Sequence, residues 1–81
     1  MKIKIQLWAL SYASIDSDDK LYTATIGLYE SSDDAFKAMK DNVSSDIKDG
    51  DIEDKWKIND KTADYVDDFS NTRKSYRINS L

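Results

Sequence analysis

The side chains this sequence supplies most freely for chemistry are carboxylates. Sixteen Asp and Glu stand against 12 Lys and Arg in 81 residues, a net charge of −4. They come in groups. Asp16, Asp18 and Asp19 share one short stretch; Asp46, Asp49, Asp51, Glu53 and Asp54 share another. Grouped carboxylate oxygens are the ligands Ca²⁺ prefers. The spacing is wrong for a calcium loop, because Gly50 follows Asp-Ile-Lys-Asp rather than alternating acids. Asp equally favours turns and helix ends, so no metal is expected. Paired carboxylates cleave glycosides only in a cleft that holds a sugar and raises one pKa. A chain of 81 residues has little material for one.

The other catalytic types are scarce. With no His and no Cys, the commonest general base and the thiolate nucleophile are missing. Serines have no imidazole to activate them. The two glycines, Gly27 and Gly50, stand far apart, and no G-x-S-x-G elbow or Gly-rich phosphate loop appears. The expectation is a non-enzyme without a cofactor.

Two charge patterns bear on partners. Arg73, Lys74 and Arg77 surround Tyr76, and Lys2 and Lys4 would join them if the first and last strands were neighbours. Such a patch could bind nucleic acid with aromatic stacking. A negative chain argues against that, and positive charge also guards sheet edges. The opposite idea is an acidic inhibitor that mimics phosphates toward a nucleic-acid-handling host defence enzyme, since such charge steers association toward a basic groove. Its carboxylates would come from Asp16, Asp18, Asp19, Asp46, Asp49, Asp51, Glu53, Asp54, Asp64, Asp67 and Asp68.

These residues need elements to hold them. Ile3, Ile5, Leu7 and Ala9 alternate with Lys2, Lys4 and Gln6, which reads as a half-buried strand. From Trp8 the second side turns apolar too, through Leu10 and Tyr12. A polar loop over residues 14–20 leads to a second strand over 21–29, with Tyr22, Ala24, Ile26 and Leu28 on one face. Ser31 is the expected cap of a helix over Ser32–Lys48, with Asp33 and Asp34 at its positive end. Ala35, Phe36, Met39, Val43 and Ile47 share one helical face. Gly50 is the expected stop. Trp56 and Ile58 start a third strand; residues 62–69 read as a fourth strand by alternation, while Tyr65, Val66 and Phe69 also fit one helical turn; Thr72 to Asn79 reads as a fifth strand. The sum is a single α+β domain over 1–81, in the order β-β-α-β-β-β. It should be a two-layer sandwich, an antiparallel sheet of four or five strands under one helix, with Phe36, Met39 and Val43 against Ile5, Leu7, Ile26 and Leu28. Lys4 and Gln6 interrupt the N-terminal apolar residues, so neither a signal peptide nor a membrane span is expected, and the location should be cytoplasmic.

The run Ile26-Gly27-Leu28-Tyr29-Glu30-Ser31-Ser32-Asp33-Asp34-Ala35, with the later Trp56 and the closing Tyr76-Arg77-Ile78, resembles small phage and Gram-positive bacterial proteins of unassigned function. In these a strand ends in I-G-hydrophobic-Tyr, a Ser-Ser cap and helix follow, and an aromatic-x-Ile strand closes the chain. The resemblance implies the same layout and a phage or mobile-element origin. It carries over no functional residue.

Nine aromatic residues remain to be placed. One helix covers one sheet face, yet the first strand is apolar on both. Trp8, Leu10 and Tyr12 are therefore the expected exposed patch, a surface for homodimerisation or for a protein partner.

Overall fold

The computed structural model describes residues 5–81. Strand β1 covers Trp8–Ile15, β2 Leu21–Tyr29, β3 Trp56–Ile58, β4 Thr62–Asp67 and β5 Thr72–Ser80; helix α1 covers Ser32–Lys48. The sheet order is β2-β1-β5-β4-β3 and every pairing is antiparallel. The fold is α+β, with five strands and one helix in the order the sequence predicts.

The helix begins and ends for local reasons. The Ser31 hydroxyl accepts the Asp34 N–H at 3.1 Å, satisfying one of the amides that the first turn leaves free. At the other end Gly50, at φ 125°, lets its own N–H reach the Ile47 carbonyl at 3.1 Å while the Asp51 N–H reaches Asp46 at 3.1 Å. That pair of back-turned bonds needs a left-handed residue, which Gly supplies without a Cβ clash.

Ala35, Met39 and Val43 of α1 are buried in one cluster with Leu10, Trp56, Ala63, Tyr65, Tyr76 and Ile78. Trp8 and Tyr12 pack against that cluster. The first strand therefore faces the other way from the sequence reading. Trp8, Leu10 and Tyr12 lie on the helix side, and Leu10 has no exposed area. Ile5 precedes the strand and is 76% exposed; Ile3 falls outside the described residues. Two physical reasons account for this. The inward residues Trp8, Leu10 and Tyr12 are large and alternate with Ala9, Ser11 and Ala13, so this phase removes far more apolar surface from water. The strand also starts only where both neighbours exist, since Trp8 pairs with Tyr29 on one side and Ser80 on the other.

The second strand changes phase midway. Leu10 opposes Gly27 while Ser11 opposes Thr25, which leaves Ile26 as the extra residue of a β-bulge. Tyr22 and Ala24 thus share the helix side with Gly27 and Tyr29, and Leu28 turns to the opposite face. Ile26 and Leu28 are exposed, not beneath the helix as expected. At Gly27 a Cβ would stand 2.8 Å from the Tyr29 hydroxyl, so the missing side chain is the space that this ring occupies.

Two substitutions check this arrangement. Met39→Asp is expected to unfold the protein, because the site is fully buried and offers the charge no partner; a thermal transition at the wild-type midpoint would contradict the placement. Ser31→Ala should cost about 1 kcal/mol in urea denaturation.

Candidate functional site

The sheet register sorts every strand residue to one of two faces, since residues paired across neighbouring strands share a side. On the side away from α1, one cross-strand row reads Leu21, Ile15, Arg73, Val66. The next reads Thr23, Ala13, Ser75, Asp64, Lys57, and the one after it Thr25, Ser11, Arg77, Thr62. A last row holds Leu28, Ala9 and Asn79. The two middle rows consist mainly of small residues, and over them lies a shallow groove of about 430 Å³ lined by Ser11, Ala13, Thr23, Thr25, Ser75 and Arg77 among others.

This open face has its own chemistry. Arg73, Arg77 and Lys57 stand against one acid, Asp64, which accepts the Ser75 hydroxyl at 2.8 Å. The face is basic on an acidic chain. No aromatic residue belongs to it among the described residues, so it lacks the platforms on which bases stack. Its apolar row, Leu21, Ile15 and Val66, is exposed. At the same end the β4–β5 turn presents Phe69, which is 100% exposed. The Phe69 N–H is held by the Asp67 carboxylate at 3.1 Å, and Asn71 adopts a left-handed φ of 53°. The turn is thus fixed in shape while its ring stands in water.

The helix side carries a polar and aromatic seam instead. Tyr12 lies 6.1 Å from Tyr22 and 4.7 Å from Tyr76, and Trp56 lies 5.9 Å from Tyr76 and 5.1 Å from Tyr65, measured between ring centroids. Ala63, paired with Tyr76, lacks the bulk to separate the Trp56 and Tyr76 rings. The Tyr76 hydroxyl donates to Asp46 at 2.7 Å, Lys74 donates to both Asp51 oxygens at 2.8 Å, and Tyr65 donates to Asp67 at 3.4 Å. Burial and the Asp46 carboxylate push the Tyr76 phenol far above its ordinary range. Burial opposes the Lys74 charge, but Asp51 outweighs it and holds the ammonium above its usual range. Burial also opposes ionisation of Asp67, yet hydrogen bonds from Ser70 and Phe69 and the Lys55 ammonium together hold that carboxyl low.

The patches expected from the sequence fare differently. Trp8, Leu10 and Tyr12 do not form an exposed surface; they pack with Ala35, Met39 and Val43 of α1 in the core cluster. The basic trio is split. Arg73 and Arg77 stay on the open face, while Lys74 turns inward to Asp51. Lys2 and Lys4 lie outside the described residues. Among the acids, Asp46, Asp51, Asp64 and Asp67 have internal partners, and Asp16 accepts the Asp18 and Lys20 amides of its own loop. Asp18, Asp19, Asp49, Glu53, Asp54 and Asp68 remain exposed. Among the described residues no three acids converge as a metal site would need. No helix there is long and apolar enough to cross a membrane. Sequence reasoning missed Leu21, Ile15, Val66 and Phe69. The usable signal was the large–small alternation of β1, and an aromatic residue inside the turn-forming run Asp68-Phe69-Ser70-Asn71. Comparison with protein-family models, with curated protein sequences and with solved structures gives no match.

The seam fixes the alkaline limit of the fold. Tyr76 and Lys74 both have raised values in the folded chain, so their contribution is complete below about pH 10, where unfolded Tyr and Lys are also protonated. It is lost as the pH rises further, because the unfolded chain then releases protons that the folded one retains. Urea midpoints should be flat through neutral pH and fall steeply above about pH 10. Tyr76→Phe should lose about 1 kcal/mol at neutral pH, the hydrogen bond to Asp46, and should soften the alkaline fall.

Proposed function

We propose that this protein is a non-catalytic interaction module that docks a partner protein on its open sheet face. The carrying observation is that the face away from α1 bears an exposed apolar row, Leu21, Ile15 and Val66, beside Arg73, and that the β4–β5 turn at the same end carries a fully exposed Phe69. An aromatic anchor with a nearby Arg is the usual make-up of an interface centre. The small residues of the middle rows let a partner's side chains approach the sheet closely. The bare face follows from a two-layer sandwich in which α1 covers one side only.

The partner chemistry follows from charge. Arg73, Arg77 and Lys57 favour an acidic protein surface. A second copy pressed face to face about a two-fold axis would set these basic residues against their own counterparts, so a heterologous partner is the better fit. The negative net charge of the chain argues against a nucleic-acid partner. A cytoplasmic setting and a phage or mobile-element origin accompany this reading, on the absence of Cys and the strand–helix junction at Ile26–Ala35.

A second reading, the acidic inhibitor of a nucleic-acid-handling host defence enzyme, draws support from the exposed Asp49, Glu53 and Asp54 beside the end of α1. It is weakened by the internal engagement of Asp46, Asp51 and Asp67.

The two readings separate in one experiment. Tagged wild type, Phe69→Ser with Val66→Glu, and Glu53→Lys with Asp54→Lys are used to capture partners from host lysate at low and high salt. Phe69 is fully exposed, so Phe69→Ser should change stability by less than about 0.5 kcal/mol. Docking on the open face predicts a captured protein that the Phe69/Val66 variant loses and the Glu53/Asp54 variant keeps, with modest salt sensitivity. The reverse pattern, lost steeply with salt, supports the inhibitor instead.

A further inference from the structure

The two edges of the sheet are unlike. Strand β3 at one edge is three residues long and carries Lys57 at its centre, which is how natural sheets blunt an edge against further pairing. Strand β2 at the other edge is nine residues long, and its sequence Leu-Tyr-Thr-Ala-Thr-Ile-Gly-Leu-Tyr holds no charge and no Pro. In a chain that is 35% charged, the other long uncharged stretch, residues 5–15, contains β1, which is paired on both sides. Among the described residues nothing pairs with the outer side of β2. Leu21 is 67% exposed, Tyr22 60% and Leu28 56%, so apolar side chains stand free on both faces of this edge.

We infer that β2 pairs antiparallel with β2 of a second copy, joining two five-stranded sheets edge to edge. A neutral strand is where two copies of an acidic chain can meet without repulsion. The strand is also self-complementary about Thr25. Counting Ile26 as the bulged residue, a two-fold axis at Thr25 sets Tyr22 opposite Tyr29 on the helix side, Ala24 opposite Gly27, and Thr23 opposite Leu28 on the open side. Each pair joins residues that already share a face. The same register sets Leu21 opposite Glu30 of the other copy, just after the strand, at both ends of the pairing. The guarded β3 edge ends the assembly at two, a closed arrangement. This inference concerns the edge and stands apart from docking on the open face.

Sedimentation of the full chain across a concentration series up to millimolar tests it, with Tyr22→Lys/Leu28→Lys, Lys57→Ala and Val66→Glu as variants and circular dichroism as the check on folding. The expected result is a wild-type dimer, kept by Lys57→Ala and Val66→Glu and lost in the folded Tyr22→Lys/Leu28→Lys variant. Because the chain lacks Cys, a spin label at Thr25→Cys should add a short label-to-label distance in the dimer alone. A wild-type monomer at every concentration overturns the inference. So does a dimer that survives Tyr22→Lys/Leu28→Lys, or one that Val66→Glu dissolves.

Discussion

Among the described residues, the seventeen of helix α1 are the principal cover of this sheet. At 1.5 Å per residue α1 is about 26 Å long, whereas the molecule extends 55 Å in its longest dimension. The large apolar residues of the central strands must therefore gather under the helix and on one side. Met39, with no exposed area, and Leu10, equally enclosed, mark where that requirement is met most fully. Ile78 and Val43 extend the same cluster. The choice of which face of β1 turns inward is the choice on which the whole core depends, and a slip by one residue would exchange Leu10 for an Ala or a Ser.

Where the helix ends, a different interaction takes over. Asp46 near its last turn and Asp51 just beyond it receive Tyr76 and Lys74 from β5, so the C-terminal end of the helix layer is fastened by charge-assisted hydrogen bonds rather than by aliphatic packing alone. Such bonds are among the stronger polar contacts. The aromatic rings of Tyr12, Tyr76, Trp56 and Tyr65 spread this fastening across the sheet. On the opposite face, which no helix covers among the described residues, Ile15, Leu21 and Val66 reach water, and Phe69 does so in the β4–β5 turn. The exposed surface is thus a geometric remainder: it begins where the cover stops.

Most of the layout is legible in the sequence. The capping Ser31, the spacing of Ala35, Met39 and Val43, and the stop at Gly50 each follow from local chemistry, and each occupies its expected place. The strand over residues 62–67 is harder, because Tyr65 and Val66 also fit a helical turn; pairing with β5 on one side and β3 on the other decides it. The face of β1 is easily misread because Ile3, Ile5 and Leu7 look like the better hydrophobic stripe, and a strand's length is set by its neighbours rather than by its own alternation. That one inversion moves Trp8, Leu10 and Tyr12 from the open side to the core, and the candidate surface with them. The bulge at Ile26 is invisible in the sequence for a related reason: β2 alone is compatible with unbroken alternation, and only its register against Leu10 and Ser11 exposes the extra residue.

That extra residue works as a frame correction written into the chain. Upstream of it the β2 alternation suits Tyr12; downstream it suits Trp8 and the entry into α1. Take Ile26 out and the same partners would meet in plain alternation, Gly27 still against Leu10 and Tyr29 still against Trp8; add a further residue and the two halves fall out of step. The bulge is therefore the point in the hairpin where the chain has a residue to spare: a deletion at Ile26 keeps the faces of β2, whereas a deletion elsewhere in the strand exchanges them.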